Sequence, residues 1–168
     1  MIVVNRNLSL KDQIARWVRG CERLAVMGIG NPLRGDDGVG DEIVKRLSGK
    51  VLEWVRLFNC EMVPENFLSE IQDFQPTHVL IIDAAELKAE PGEAQLISPE
   101  KITGIALSTH TISLSLLTGI LREEVKAKII LLGIQPHSTS FSETLSPELQ
   151  KTTKKIAKAI SEAIKEAR

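Results

Sequence analysis

Apolar residues along the chain fall either in continuous runs or at helical spacing, and this pattern predicts strands interleaved with helices. Unbroken apolar runs are typical of strands covered on both faces, whereas spacings of three and four residues are typical of helices with one buried face. The runs predict five strands, at about residues 23–28, 51–58, 78–83, 94–97 and 128–134. The spaced positions predict helices at about residues 8–21, 37–47, 65–74 and 111–122, and from residue 146 to the end.

This order of elements predicts a single α/β domain over residues 1–168, with the helix at about residues 8–21 as an N-terminal extension. The expected fold is a three-layer α/β/α sandwich with a twisted, mostly parallel five-stranded sheet. The strand at residues 94–97 is expected at an edge of that sheet, and residues 98–106 predict at most one short helical turn.

Composition excludes several classes of function. A formal net charge of −1, with four Phe, two Trp and no Tyr, does not favour nucleic acid as a partner. No apolar run approaches the roughly 20 residues of a membrane span, and the N-terminus lacks the features of a signal peptide. Two cysteines are too few for a disulfide framework or a Cys₄ zinc site. We therefore expect no membrane insertion and, by default, a cytoplasmic protein.

A glycine-rich motif, residues 27–40 with the sequence MGIGNPLRGDDGVG, joins the first strand to the next helix. It is not a dinucleotide fingerprint, because the third glycine falls at the wrong spacing, and it lacks the Gly-Lys-Ser/Thr of a P-loop. Asp36 and Asp37 at the helix N-terminus would also repel a phosphate. The motif therefore disfavours nucleotide binding and indicates another use for its acids.

Polar groups are predicted to gather where the carboxyl ends of the strands meet, which is where ligands bind in such sheets. Two carboxylates and an imidazole at this edge would suit a divalent first-row metal ion and leave coordination positions open. The candidates from the strand ends and the following turns are Asp36, Asp37, Asp83, His110, Gln135 and His137.

Each candidate also has a structural interpretation. Asp36 or Asp37 could cap the following helix, although a cap would explain only one of the pair. Asp83 could cap a loop turn, and His110 could be an ordinary polar residue near a helix start. His78 opens a strand and is expected to be structural or solvated, and Cys60 is expected to be a small buried hydrophobic residue.

Four motifs, taken together and in order, resemble the [NiFe]-hydrogenase maturation endopeptidases, and most closely the HycI type that serves hydrogenase 3-like enzymes. They are the glycine-rich motif, Asp83-Ala84 at the end of a strand, Thr109-His110, and Leu132-Gly133-Ile134-Gln135-Pro136. The resemblance covers about residues 24–149. It implies a phosphorylase/hydrolase-like α/β/α sandwich, in agreement with the fold predicted from the apolar pattern.

The resemblance implies a nickel-dependent endopeptidase, classed as aspartic-type, that removes the C-terminal extension of a [NiFe]-hydrogenase large-subunit precursor after nickel insertion. Asp37, Asp83 and His110 would be the catalytic and nickel-contacting residues. Asn31, Asp36, Asn59 and Gln135 would contact the substrate, with Asp36 also a candidate cap or support for the ligands. The precursor would supply the nickel, so we expect no tightly bound cofactor in the free protein, and we favour a monomer.

One departure from the family pattern affects substrate choice. Members often have Asp-Gly after the second strand, where this chain has Asn59-Cys60-Glu61, although Pro64-Glu65-Asn66 fits the HycI form. Two alternative functions stay open at this point. One is a chaperone that checks the precursor for nickel without cleaving it, and the other is a small-molecule hydrolase on the same scaffold.

Overall fold

The structure is a computed structural model that describes residues 8–104 and 114–167. The predicted Thr109-His110 motif and the predicted helix start at Thr111 lie outside these residues. The strands are β1 (Leu24–Ile29), β2 (Val55–Glu61), β3 (His78–Ala84), β4 (Ala94–Ile97) and β5 (Lys128–Ile134). The α-helices are α1 (Leu10–Trp17), α2 (Val39–Leu47), α3 (Leu68–Phe74), α4 (Leu114–Ile120) and α5 (Pro147–Glu166).

The strands form one five-stranded sheet in the order β2-β1-β3-β5-β4. All neighbouring pairs are parallel except β4, which runs antiparallel to β5 at the edge. Gly28 in β1 pairs with Asn59 in β2 and with Ile82 in β3, and Asp83 pairs with Gly133 in β5. The prediction of a mostly parallel sheet with an edge strand at residues 94–97 is therefore confirmed.

Apolar side chains form a core on each face of the sheet. One core includes Ile14 of α1, Ile43 of α2 and Ile156 of α5. The other includes Ile71 of α3 and Leu117 of α4. Burial of both faces explains the uninterrupted apolar runs of β1 and β3, and it confirms the predicted three-layer sandwich. In the ranges that the structure describes, no helix is long and apolar enough to cross a bilayer.

Several element boundaries differ from the prediction because of local geometry. The first helix ends at Trp17 instead of residue 21, and Gly20 turns the chain with a φ of +77°. A 3₁₀ turn over Gly35–Gly38 holds both acids of the motif, so α2 begins only at Val39. A 3₁₀ turn over Pro64–Phe67 likewise precedes α3, which shortens the helix predicted at residues 65–74.

Strand β2 is displaced along the chain relative to the predicted residues 51–58. Its start is set by its partner, because β1 begins at Leu24, which pairs with Val55. Its end is extended by a bulge after Asn59 that brings Glu61 opposite Ile29. The Glu61 carbonyl then accepts a hydrogen bond of 2.8 Å from the Gly30 backbone N–H. Asn59, Cys60 and Glu61 consequently lie inside the strand and not after it.

The remaining predicted helical segments have mixed geometry. Pro99–Gly104 forms a short 3₁₀ segment, where only one helical turn was expected. After α4, Leu121–Val125 continues as a π-helical turn that ends at Lys126, whose φ is +57°. The long final helix begins as predicted, with Ser146 as its cap and Pro147 in the first turn.

Candidate functional site

The glycine-rich motif places the start of α2 directly on the carboxyl ends of two strands. A Cβ atom added to Gly40 would lie 2.4 Å from the backbone oxygens of both Ile29 and Ile82, so only glycine permits this approach. The 3₁₀ turn that precedes α2 also contacts β3. As a result, Asp37 in the turn and Asp83 near the end of β3 lie at the same edge of the sheet.

Asp37 is buried, with only 3% of its surface exposed, and its two carboxylate oxygens have different surroundings. Oδ2 accepts a hydrogen bond of 2.9 Å from the Asn31 backbone N–H. Oδ1 is buried and has no hydrogen-bond partner among the described residues. A buried acceptor without a partner costs about 1–3 kcal/mol, so this oxygen would gain from any ligand that donates to it or is coordinated by it.

Asp83 is fully buried in β3, one residue beyond the Ile82–Gly28 pair. The structure therefore places two of the three predicted nickel-contacting residues, Asp37 and Asp83, at one edge. The third, His110, lies outside the described residues. Within those residues no group of three His, Cys, Asp or Glu side chains could hold a metal ion. A site that includes His110 accordingly stays a prediction.

Asp36 fastens three segments of the chain together. Its Oδ2 accepts hydrogen bonds from the backbone N–H groups of His137 (2.8 Å) and Ser138 (3.2 Å). The Ser146 hydroxyl donates to the same oxygen at 2.8 Å, and the Ser146 backbone N–H donates to Oδ1 at 2.7 Å. Ser146 is itself the N-cap of α5. We call these four hydrogen bonds the Asp36 latch.

Neither acid of the motif caps α2, whose N-cap is Gly38 without a side-chain hydrogen bond. The capping interpretation is therefore wrong for both residues. Asp36 instead joins the turn after β1 to the loop after β5, a structural role that its sequence position did not reveal. Its predicted contact with a substrate stays a prediction.

Two further predicted substrate contacts are Asn31 and Gln135. The side-chain oxygen of each accepts a hydrogen bond from a backbone N–H group. The Asn31 side-chain oxygen accepts a 2.9 Å hydrogen bond from the Leu33 N–H, which shapes the turn that orients Asp37. Gln135 is buried, and its Oε1 accepts a 2.7 Å hydrogen bond from the Leu87 N–H. These interactions position the loops at the carboxyl edge, and direct contact with a substrate stays a prediction for both.

Two more buried oxygens at this edge have no hydrogen-bond partner in the described part of the chain. They are Oδ1 of Asn59, opposite Gly28, and Oε2 of Glu65, in the 3₁₀ turn after β2. Asn59 was among the predicted substrate contacts, whereas Glu65 was named only within the Pro64-Glu65-Asn66 match to the HycI form and not as a site residue. Its position in the sequence could have identified it as a candidate, since Glu65 follows the end of β2 much as Asp36 and Asp37 follow β1.

Cys60 and His78 are structural, as the sequence predicted. Burial and, to a smaller extent, the charges of Glu65 and Glu70 raise the pKa of the Cys60 thiol to about 12. Cys60 is therefore a buried thiol and not a nucleophile at neutral pH. His78 is buried edge-on against Trp17, with ring centroids 5.1 Å apart, at the amino end of β3 and away from the site.

The fold and the site can be compared with known proteins. The family model described as HycI, hydrogenase maturation protease, matches residues 42–165. A Methanocaldococcus jannaschii protein assigned to the hydrogenase maturation proteases is 37% identical over 140 residues, which are 79% of this chain and 83% of that protein. The hydrogenase 3 maturation protease of Escherichia coli K12 is 33% identical over 115 residues, which are 67% of this chain and 72% of that protein.

A solved structure agrees with these sequence matches. The crystal structure of a [NiFe] hydrogenase maturation protease HycI from Thermococcus kodakarensis superimposes with a TM-score of 0.84 at 33% identity. The match covers 90% of this chain and 98% of that one. The family model spans most of the chain, and the relatives exceed 30% identity over two thirds of it or more. This chain therefore belongs to the hydrogenase maturation protease family and is a peptidase.

Proposed function

We propose that this peptidase is a nickel-dependent endopeptidase that removes the C-terminal extension of a [NiFe]-hydrogenase large-subunit precursor after nickel insertion. The observation that carries the proposal is the buried Oδ1 of Asp37, which has no partner among the described residues and lies at the same edge as Asp83. The name of the Thermococcus kodakarensis relative supports the class of substrate.

The chemistry of these groups suits the metal of such a substrate. The Asn31 N–H holds one oxygen of Asp37, so the carboxylate is oriented before a ligand arrives, and its second oxygen has no partner among the described residues. Carboxylate oxygens and an imidazole are ligands for divalent first-row ions. Asp37, Asp83 and His110 would add to the groups with which the precursor already holds its nickel. Cleavage would then depend on metal insertion, because a precursor without nickel would lack this contact.

The small number of ligands that this chain offers supports recognition of a metal that the precursor already holds over capture of a free ion. Two carboxylates and one imidazole give few ligands, and the precursor would supply the others. The free peptidase would accordingly bind nickel weakly, and the complete coordination sphere would form only in the complex.

Processing of purified precursor tests this proposal. The precursor, with its C-terminal extension, is prepared with and without nickel and incubated with the peptidase, and the product mass is measured. We expect loss of the extension only from the nickel-loaded precursor. Asp37→Asn, Asp83→Asn and His110→Ala should each lower the rate at least about 100-fold. Asp12→Asn, a change at an exposed acid on α1, is the matched control.

Three outcomes would overturn the proposal or part of it. A stable complex without any change of mass would indicate the non-cleaving checkpoint chaperone. Equal cleavage of nickel-free precursor would remove the nickel dependence. Wild-type rates for the Asp37 and Asp83 variants would show that these carboxylates are not the site.

A further inference from the structure

Exposed apolar side chains are concentrated around the candidate site. In the described ranges six large apolar side chains are exposed, and four of them follow the carboxyl ends of strands. Leu33 follows β1, Met62 and Val63 follow β2, and Phe141 follows β5. The other two are Leu52, before β2, and Leu116, in α4. Exposed apolar side chains indicate an interaction surface where they are neighbours in a patch, and single ones scattered over a surface do not.

Phe141 is the most exposed of these side chains, at 80%, and its loop is bonded to the segment that carries Leu33. The Ser142 N–H donates a 3.0 Å hydrogen bond to the Leu33 carbonyl, and the Gly35 N–H donates a 2.8 Å hydrogen bond to the Ser142 carbonyl. These bonds form a parallel bridge between Arg34 and Ser142. The two exposed residues, Leu33 and Phe141, are therefore each next in sequence to a residue of the bridge.

Further hydrogen bonds hold the Phe141 loop in place. The Arg34 side chain donates through Nε to the Thr139 carbonyl at 3.1 Å. The Asp36 N–H donates to the Ser138 carbonyl at 3.0 Å, and the Asp36 latch adds bonds to both ends of the loop. An aromatic side chain on a loop that is already ordered loses little entropy on binding, which is a property of interface anchors.

We propose that Leu33 and Phe141 form a docking patch for the folded large-subunit precursor, next to the site that cleaves its C-terminal segment. The inference rests on the proposed function, which supplies a folded protein as substrate. Leu33 lies in the same motif as Asp37, four residues before it. A protein seated on the docking patch therefore lies beside the carboxylates, whereas a small-molecule substrate would have no use for apolar groups outside its pocket.

Serine substitutions with a matched control test the docking patch. The variants are Leu33→Ser, Phe141→Ser and both together, and the control is Leu52→Ser. Leu52 is 38% exposed and lies before β2, at the amino ends of the parallel strands, whereas the candidate site is at their carboxyl ends. The probe is the nickel-loaded precursor with its extension. The dissociation constant is measured by biolayer interferometry, and KM and kcat are measured from product masses.

We expect the double variant to raise both the dissociation constant and KM at least about tenfold, because an aromatic anchor typically dominates an interface. The kcat at saturating precursor should stay at the wild-type value, since both substitutions keep Asp37 and Asp83. The Leu52→Ser control should match the wild type in every measurement. Unchanged melting temperatures would show that the exposed substitutions leave the fold intact.

Wild-type binding by the double variant would overturn the inference. A second result would also overturn it. If analytical ultracentrifugation shows that the free peptidase is a dimer, and the double variant is a monomer that still binds the precursor as the wild type does, the patch serves a second copy of this chain. If the wild type binds the precursor without cleaving it, the proposed function fails, whereas the binding measurement still decides whether the patch docks the precursor.

Discussion

Asp36 and Asp37 are adjacent in sequence and both buried, but their carboxylates have different surroundings. Asp36 accepts four hydrogen bonds from the protein, whereas Oδ1 of Asp37 accepts none from the described residues. The first carboxylate is a structural group, and the second has an oxygen without a partner in the described part of the chain. Substitution of each residue should therefore affect a different property of the protein.

Asp36→Ala should lower the free energy of unfolding by about 3 kcal/mol, because it removes the acceptor of four hydrogen bonds, three from backbone N–H groups and one from the Ser146 hydroxyl. Asp37→Asn should change that free energy by less than about 1 kcal/mol, since the oxygen that accepts from Asn31 is kept. Urea denaturation of both variants measures the difference. An Asp36→Ala variant as stable as the wild type would show that the latch contributes nothing.

His78 should make stability depend on pH. Burial and, to a smaller extent, the charge of Lys128 lower its pKa from 6.5 to about 4. His78 is therefore protonated near pH 6.5 in the unfolded chain but only near pH 4 in the folded protein. Stability contributed by neutral His78 is complete above pH 6.5 and falls as the pH decreases toward 4.

The expected loss between pH 7 and pH 4 is on the order of 2 kcal/mol. Denaturation of the wild type and of His78→Phe at both pH values isolates it, because Phe keeps a ring beside Trp17 but does not titrate. Equal pH dependence in the two proteins would assign the effect to other groups.

Helix α2 depends on close approach to the sheet, and two helical glycines allow this to be tested. A Cβ atom on Gly40 would lie 2.4 Å from two backbone oxygens, whereas one on Gly119 of α4 would meet nothing within 4 Å. Gly40→Ala should cost about 3 kcal/mol or more through displacement of α2. Gly119→Ala should be neutral or stabilise by up to about 1 kcal/mol. Thermal unfolding of both variants gives the comparison, and equal stabilities would contradict the packing described.

The sequence pattern predicted which segments form helices and strands, but it did not predict the residues at which several of them begin and end. Apolar runs identified all five strands because each is covered on at least one face. The end of β2 was missed because a bulge and the pairing with β1 extend it to Glu61. The start of α2 was missed because acids and glycines suit a 3₁₀ turn as well as a first helical turn.

The candidate site was predictable to the same extent. Strand ends placed Asp37 and Asp83 at one edge, because parallel strands share their carboxyl end. The role of Asp36 was not predictable, since its partners lie 101 to 110 residues away in sequence. The lack of a partner for the buried oxygens of Asn59 and Glu65, among the described residues, likewise could not be seen in the sequence. The predicted place of His110 lies outside the described residues.

At the scale of the whole molecule, the two cysteines should be protected by the fold. Cys21 and Cys60 are buried in the cores on opposite faces of the sheet, and the pKa of Cys60 is raised to about 12. Only global unfolding would expose both.

A colorimetric disulfide reagent at pH 7.5 should therefore find no rapidly reacting thiol in the native protein and two thiols in denaturant. Iodoacetamide should leave precursor processing unchanged, because the thiol is not the nucleophile. Rapid inactivation by iodoacetamide, with the fold still intact by circular dichroism, would contradict this.

The Asp36 latch also ties the fate of the site to the last helix. Asp36 accepts two hydrogen bonds from Ser146, which is the N-cap of α5. If α5 detached by even its first turn, the turn that presents Asp37 would lose its fastening as well. The site and the C-terminal helix should therefore unfold locally as one cooperative unit. Local unfolding near residue 146 would then also displace Asp37, which lies more than a hundred residues earlier in the sequence.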